Sequence, residues 1–426
     1  MFKEEAIKKR LARTELSEPI LDKFCRYVKV ETTSDPTVED HKPSTKTQWD
    51  LAHMLVKELK DFGIEDVTVD EQAYVIANIP ATKGFEDRAT IMLCSHMDTS
   101  PQCSGKNVNP QVFRDYDGKD IVVNENFTIK VADNPLLKDA VHDTIITTDG
   151  NTLLGADDKA GIANIMTALE YMFKTNMDHG PLQIMFNADE ETGMGMFQVP
   201  MDKVKAKQAY TVDSTEMPLI EYQCFNAFMA KVTFTGVSIH PGYARGRLVN
   251  AANMAAQFVT MLPRNESPEA TDERYGFFHV TDMAGQTETA HVNVIIRDFD
   301  INIAKQRCER LKQIAAAVEA IFPGGKVDVE IKFQYSNMFD GMGPDAKPVT
   351  LLETACRNAF GEPKESLIRG GTDGSHLTHL GVPTPNLFTG GINCHSRSEM
   401  AILSWMVAST EVVIELIRLW SLEKAQ

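Results

Sequence analysis

Apolar residues recur at two spacings along the chain, and each spacing predicts a different kind of element. Helical spacing runs from Pro19 to Val30 and from Gln48 to Phe62, and Gly63 stands where a helix would end on a left-handed residue. Short β-rich runs occupy residues 66–79, 89–94, 182–187 and 208–212. A helical pattern from about Gly161 to Phe173 lies between them, and this alternation predicts a layered α/β domain.

Residues 225–336 follow a different rhythm. The predicted order is strand, helix, strand, strand, helix and strand, at Phe228–Phe234, Asn250–Leu262, Tyr275–Asp282, Ala290–Phe299, Ile303–Ile321 and Lys326–Gln334. This β-α-β-β-α-β order is that of a ferredoxin-like unit, which is complete in itself. The α/β pattern resumes near residue 345 and ends in an amphipathic helix from about Leu403 to Glu423. We therefore expect one domain formed by 1–224 and 337–426, with 225–336 inserted as a second.

The length and charge of the chain narrow the kinds of partner it could bind. Its 426 residues are more than a domain with one hydrophobic core usually contains, so we expect two domains. Lysine and arginine number 43 against 60 aspartate and glutamate, a formal charge of −17 that repels nucleic acids and anionic lipids. No stretch approaches the roughly 18 uninterrupted apolar residues of a membrane span. We therefore expect neither a nucleic-acid partner nor a membrane location.

The cysteines indicate a reducing compartment. There are seven, an odd number, with no Cys-x-x-Cys pair, so they suggest neither a disulfide framework nor a thiolate zinc site. The first thirty residues are charged and amphipathic and lack the apolar core of a secretory signal. We expect a cytoplasmic protein with reduced thiols.

Acids and histidines stand at the ends of apolar runs or in glycine-flanked turns. They are His96, Asp98, Asp157, Glu190, Glu191, Asp213 and His395. In open α/β sheets ligands collect outside the carboxyl ends of strands, and the residues that would fall there are His96, Glu190, Glu191 and Asp213. Imidazole and carboxylate together suit zinc or a similar divalent ion, and an acid shared by two ions lets them sit roughly 3.5–4 Å apart around one water. The pattern therefore predicts a two-metal site.

The order of these blocks resembles the M20 family of co-catalytic metallopeptidases, and within it the tripeptide aminopeptidases. The resemblance runs nearly end to end. It is carried by HMDTSPQCSGKNVNPQ at 96–111, ITTDGNTLLGADDKAG at 146–161, HPGYARGRLVNA at 240–251, IIRDFD at 295–300, RGGTDG at 369–374 and PNLFTGG at 385–391. It implies a zinc-exopeptidase-like layered α/β catalytic domain, with the ferredoxin-like unit as a lid that closes over it.

The resemblance also implies a role for each of the acids and histidines. Asp157 would bridge two zinc ions, which cobalt or manganese could replace. His96 and Asp213 would complete the ligands of one ion, and Glu191 and His395 those of the other. Glu190 would be the general base, and Asp98 would orient the imidazole of His96. The family further implies a cis peptide bond after Asp157.

Three residues are expected to bind the substrate. His240 resembles the family's histidine that polarises the scissile carbonyl, and its alternative is a buried structural histidine. Arg297 resembles the arginine that binds a substrate carboxylate, and Arg369 is a second candidate for that task. The alternative for both arginines is a buried ion pair with Asp298 or Asp300.

Other candidate ligands are better explained without a metal. His376 and His379 have no counterpart among the family's ligands, so we expect histidines on a helix surface. Cys394 lies beside His395, but five ligands are already present, so we expect a packing role.

The resemblance implies an exopeptidase that removes the N-terminal residue of short peptides, most of all tripeptides. Another M20 amidohydrolase, such as a dipeptidase or N-acyl amino acid deacylase, is the nearest alternative, and a peptide-binding relative without activity is a further one. Ser214, Thr215 and Glu216 follow the expected ligand Asp213, where the tripeptide aminopeptidases have glycines, so substrate length is less determined than chemistry. The expected partner is a short peptide, and a homodimer is compatible with the sequence.

Overall fold

The computed structural model describes residues 4–344 and 346–425. The chain forms two compact units, one of 1–222, 342–366 and 372–426 and one of 223–341 and 367–371. The second unit thus includes the segment that holds Arg369, which the sequence pattern placed in the first domain. Residues 1–3, 345 and 426, which the expected first domain includes, lie outside the described residues.

The strands and helices are numbered in chain order. The strands are β1 (Asp66–Val69), β2 (Val75–Ile79), β3 (Ile91–His96), β4 (Gln111–Phe113), β5 (Ile121–Asn124), β6 (Phe127–Ile129), β7 (Ile145–Thr147), β8 (Leu182–Asn187), β9 (Gln208–Ser214), β10 (Leu219–Cys224), β11 (Asn226–Thr235), β12 (Phe277–Gly285), β13 (Thr289–Asp298), β14 (Lys326–Tyr335), β15 (Lys364–Ile368), β16 (Asn386–Phe388), β17 (Gly391–Ile392) and β18 (Met400–Ile402). The helices are α1 (Glu4–Leu11), α2 (Thr14–Tyr27), α3 (Gln48–Asp61), α4 (Ala156–Thr175), α5 (Ala251–Met261), α6 (Ile301–Ile321), α7 (Met338–Met342), α8 (Lys347–Ala359), α9 (Asp373–His379) and α10 (Leu403–Trp420). Short 3-10 helices lie at Pro135–Asp139, Glu190–Thr192, Pro241–Tyr243, Arg264–Glu266 and Pro268–Ala270.

The first unit is built on a mixed sheet in the order β1-β2-β8-β3-β9-β16-β10-β15. Its central strands β8, β3, β9 and β16 are parallel neighbours. Every residue of β3 and β8 is buried, as expected for central parallel strands covered on both faces. Helix α4 packs closely here, because a Cβ at Gly161 would lie 1.9 Å from the carbonyl oxygen of Val212 on β9. The expected layered α/β fold is confirmed.

The second unit is the expected ferredoxin-like fold. Its antiparallel sheet has the order β12-β13-β11-β14, and α5 and α6 pack on it, so the chain order is β-α-β-β-α-β. The buried residues of α6 recur at helical spacing and share a core with the inward residues of β11 and β13. They are Ala304, Cys308, Leu311, Ala315 and Val318.

Helix α2 and the stretch 100–150 differ from what the sequence pattern predicts. Helix α2 begins at Thr14, five residues before Pro19, because Leu16 and Ser17 extend its buried face. The stretch 100–150, to which the sequence pattern assigned no element, contains two small pairings, β4 with β7 and β5 with β6. Since β4 and β7 are far apart in sequence, local composition did not reveal that they pair.

Candidate metal centre

Three neighbouring parallel strands end at the same edge of the sheet, and each carries predicted site residues. His96 is the last residue of β3, and Asp213 is the second-to-last residue of β9. Glu190 and Glu191 begin a 3-10 helix shortly after β8 ends. The side chains therefore meet because β8, β3 and β9 are adjacent and run in the same direction.

Asp157 enters from the beginning of α4. Asp157 and Asp158 have non-helical backbone angles, and the peptide bond between them is cis, which confirms the expectation for this bond. One residue earlier in the chain, Ala156 is fully buried, so the turn lies inside the unit.

The side chain of His96 lies between Asp157 and Asp213. Its Nε2 atom is 3.0 Å from Oδ1 of Asp157 and 3.3 Å from Oδ1 of Asp213. Its Nδ1 atom lies 3.1 Å from the carbonyl oxygen of Asp98 and 3.3 Å from a carboxylate oxygen of the same residue. The two acceptors at Nδ1 would keep a proton on that nitrogen when an ion is bound, so that Nε2 could offer its lone pair to the metal.

His395 forms a second group on the other oxygen of Asp157. Its Nε2 atom is 3.2 Å from Oδ2 of Asp157 and 2.8 Å from Oε1 of Glu191. That Oε1 is buried and, among the described residues, has no partner in hydrogen-bonding geometry. The His395 nitrogen and the Glu191 oxygen are therefore close enough to bind one ion together.

The five predicted ligands thus converge, because Asp157 lies against His96 through one carboxylate oxygen and against His395 through the other. Within the described residues, ligand atoms of two sets lie within 4.8 Å of one another: His96, Asp157 and Glu191, and His96, Asp158 and Asp213. The donors are imidazole nitrogen and carboxylate oxygen, a set that suits a divalent transition metal. The residues present therefore fit a metal centre.

The electrostatics of the cluster favour the binding of cations. Burial raises the pKa of Glu191 and of Asp213 to about 7, and the nearby carboxylate of Asp157 adds to both shifts. The carboxylates of Asp157 and Glu191 beside its ring raise the pKa of His395 to about 10. Carboxylates held this close in a buried site disfavour each other's charge, which divalent ions would neutralise.

Asp98 connects His96 to the turn that carries the two glutamates. One carboxylate oxygen of Asp98 accepts a hydrogen bond of 2.9 Å from the backbone N–H of Glu190, and the other accepts one of 3.2 Å from that of Glu191. Burial, followed by the carboxylates of Asp373 and Asp213, raises the pKa of Glu190 well above its usual range. The carboxylates of the cluster therefore act on the ionisation of Glu190.

The imidazole of His240 lies in the second unit and is exposed. The alternative of a buried structural histidine therefore does not hold. Its Nδ1 atom accepts a hydrogen bond of 3.1 Å from the backbone N–H of Gly242. In the neutral ring this puts the proton on Nε2, which is left as a donor.

Arg297 and Arg369 differ in how the second unit uses them. Arg297 is 9% exposed and donates to the carbonyl oxygens of Phe228 and Ile296, and no carboxylate of the described chain forms an ion pair with it. Asp298 pairs instead with Arg307. The NH groups of Arg369 donate to Thr271 and to the carbonyls of Glu273 and Tyr275, so its role toward a substrate stays a prediction.

Several residues beside the cluster were not expected from sequence. Asp158 accepts from the backbone N–H of His96 and of Gly161, so it holds the strand end that carries the imidazole. Asp373 lies inside the RGGTDG block and accepts a 2.6 Å hydrogen bond from Asn187, at the end of β8. The carboxylate of Glu399 accepts hydrogen bonds from backbone N–H groups of the segment 154–157, which carries Asp157. The motif blocks around Asp158 and Asp373 offered a signal, whereas Glu399 is a single acid outside those blocks.

The remaining candidates lie outside the cluster. Helix α9 carries His376, which is half-buried, and His379, which is exposed, and neither belongs to the described metal-ligand sets. Burial, with Asp157 and Glu399 nearby, raises the pKa of the Cys394 thiol well above its usual range. A neutral thiol there is in keeping with the expected packing role.

An α/β sheet that gathers histidines and carboxylates around one shared acid at its carboxyl edge is the arrangement of a metal-dependent hydrolase. No helix in the described part of the chain is long and apolar enough to cross a membrane.

Comparison with known proteins identifies the family. The family model described as Peptidase family M20/M25/M40 matches residues 141–419. Peptidase T of Geobacillus sp. (strain WCH70) is 44% identical over 408 residues, which cover 95% of this chain and 99% of that protein. The chain belongs to peptidase family M20/M25/M40, and it is a metallopeptidase.

Solved structures share the fold at lower identity. A tripeptidase from Staphylococcus aureus subsp. aureus Mu50 matches with a TM-score of 0.76 and 19% identity, covering 96% of this chain and 99% of that one. The aminopeptidase PepT from Bacillus cereus ATCC 10987 matches with a TM-score of 0.75 and 22% identity, covering 94% and 98%.

Proposed function

We propose that the protein is a two-metal aminopeptidase that removes the N-terminal residue of short peptides, with tripeptides as the preferred substrates. The observation that carries this proposal is the placement of Asp157, whose two oxygens lie 3.0 and 3.2 Å from His96 and His395. The names of the similar proteins, peptidase T, tripeptidase and aminopeptidase, support the substrate class.

Asp157 would hold both ions, with His96 and Asp213 on one and Glu191 and His395 on the other. Zinc suits these donors, and cobalt or manganese would be accepted in its place. When bound, the ions would acidify a water molecule and polarise the scissile carbonyl. Seven free thiols support a reducing compartment, which we take to be the cytoplasm.

Glu190 is proposed as the general base. Its backbone is fixed by Asp98, while its side chain is not needed as a ligand, because Glu191 already lies against His395. Glu190 would accept the proton of the attacking water and transfer it to the leaving amine. Asp98 would hold the imidazole of His96 and the turn of both glutamates in one arrangement.

His240 and Arg297 are proposed to act on the peptide. With its proton on Nε2, His240 can donate to the oxygen of the carbonyl as negative charge develops there. Arg297 is a buried guanidinium without a carboxylate partner among the described residues, which is costly unless an anion joins it. The carboxylate at the C-terminus of a short peptide is such an anion.

An activity screen tests the proposed function. The protein is stripped with a chelator, reconstituted with zinc, cobalt or manganese, and offered free and N-acetylated di-, tri- and tetrapeptides. We expect two bound ions per chain and release of the N-terminal residue from tripeptides, because the free amine marks the substrate. Preferred cleavage of the N-acetylated series would instead indicate a deacylase, and preferred cleavage of dipeptides a dipeptidase.

Replacing Arg297 with alanine is expected to reduce kcat/KM for free-acid tripeptides about 10–150-fold, because hydrogen bonds to a charged group contribute roughly 1.5–3 kcal/mol. Tripeptide amides, which lack the carboxylate, should lose little. The measurement is kcat/KM for matched acid and amide substrates.

Arg307 provides a matched control for Arg297. It lies in the same unit but pairs with Asp298 at 3.0 Å and with Glu266. Arg307→Ala should lower the melting temperature without changing the ratio of acid to amide cleavage. If Arg297→Ala affects acid and amide equally, Arg297 is a structural residue.

A further inference from the structure

Glu399 is buried, and within the described part of the chain its carboxylate accepts hydrogen bonds only from the segment 154–157. It is 1% exposed, and one of its oxygens accepts 2.7 Å hydrogen bonds from the backbone N–H groups of Leu154 and Gly155. The other oxygen accepts a 3.1 Å hydrogen bond from the N–H of Asp157 itself. Three N–H donors on one carboxylate form a charge-assisted cradle, which fixes the backbone from which Asp157 projects.

The same residue is fixed to the loop that carries His395. This loop, residues 393–399, connects the antiparallel strands β17 and β18, and Glu399 directly precedes β18. The backbone N–H of Glu399 donates to the carbonyl of Ser396, and the Ser396 hydroxyl donates to the carbonyl of Asn393. Both contacts are within the loop, so Glu399 moves with His395.

Two residues of this loop have strained backbone conformations, which surrounding contacts must stabilise. His395 has a φ of 62° and Asn393 one of 56°, both in the left-handed region that residues other than glycine occupy uncommonly, although asparagine and histidine do so more often than most. Such conformations persist only where the surroundings determine them. The hydrogen bonds inside the loop, together with those from the Asp157 segment to Glu399, hold the loop in this conformation.

We propose that Glu399 is the positioning residue that sets the distance between Asp157 and His395. The two loops meet twice, once where Nε2 of His395 lies 3.2 Å from Asp157 and once behind it, at the Glu399 carboxylate. The hydrogen bonds of Glu399 to the backbone of the Asp157 segment fix the spacing between the side chains of Asp157 and His395. Residues that hydrogen-bond behind metal ligands orient them in this way in general. This inference rests on the proposed function, in which Asp157 and His395 are both ligands.

The test is the zinc affinity of Glu399→Gln, measured by competition with a chromophoric chelator. The glutamine side chain keeps the size but replaces one accepting oxygen with an NH₂ group, which cannot accept from the N–H of Asp157. We expect zinc affinity to fall about 10–100-fold, the usual effect of losing a group that orients ligands. Glu399→Asp keeps the charge but shortens the reach, so it should bind zinc with an affinity between those of Glu399→Gln and the unaltered protein.

Asp143→Asn is the matched control. Asp143 is also a fully buried carboxylate with three donors, the backbone N–H groups of Thr144 and Ser404 and the Ser404 hydroxyl, and none of these donors belongs to either metal-binding loop. It should lower the melting temperature while leaving zinc affinity unchanged. An equal loss of zinc affinity in Asp143→Asn would show general destabilisation and overturn the proposal.

The remaining outcomes are also decisive. Unchanged zinc affinity in Glu399→Gln overturns the proposal, and if that variant does not fold, unchanged affinity in Glu399→Asp does so. Asp157→Ala distinguishes failure of the positioning role from failure of the proposed function. If Asp157→Ala loses both ions while Glu399→Gln binds zinc normally, only the positioning role of Glu399 is refuted. Retention of both ions in Asp157→Ala would refute the metal centre itself.

Discussion

Replacing Glu190 with glutamine is expected to lower kcat by about two to four orders of magnitude while both metal ions stay bound. The physical reason is that glutamine cannot take the proton of the attacking water. Glu190 contributes no ligand atom in the proposed arrangement, and its backbone N–H, which donates to Asp98, is unchanged by the substitution. Proton transfer is therefore removed without disturbing ligation.

Glu191→Gln is the natural comparison, because it alters the next residue of the same turn. Its Oε1 lies 2.8 Å from Nε2 of His395 on the side of the proposed second ion, so this substitution should lower metal content itself. Metal analysis of the purified variants and steady-state kinetics in excess zinc separate the two effects. Equal metal loss in both variants would mean that the base and the ligand have been assigned the wrong way round.

Replacing His240 with alanine is expected to lower kcat by about two to three orders of magnitude, the usual cost of losing one donor to the developing oxyanion. The hydrogen bond from Gly242 fixes the ring so that Nε2 carries the proton. Since this donor acts most strongly in the transition state, kcat should change far more than KM. The metal content should not change, because His240 is not among the ligands.

His291 is the control for His240. It is a half-buried histidine of the same unit, and its Nε2 lies 2.8 Å from Asp282, a pairing with no proposed part in the reaction. His291→Ala should leave kcat and KM unchanged. If His240→Ala raises KM and leaves kcat intact, His240 binds the substrate without stabilising the transition state.

The sequence alone determined the fold class and the location of the site. Runs of apolar residues with period two or 3.6 are local properties, so the strands β3, β8 and β9 and the six elements of the second unit could be predicted within a few residues. Because parallel strands end at one edge of a sheet, the residues that follow those strands had to meet there. The motif blocks then implied which of these acids and histidines are ligands.

Only the tertiary structure decided how that cluster is held together. The carboxylate of Glu399 lies 242 positions from Asp157 in the chain, and that of Asp98 lies 92 from Glu190, so no local pattern marks either partner. The absence of an acidic partner for Arg297 among the described residues likewise depends on Asp298 pairing with Arg307 instead. Periodicity fixes which face of an element is buried, but which carboxylate accepts which N–H depends on side-chain geometry between distant segments, and that geometry exists only once the chain has folded.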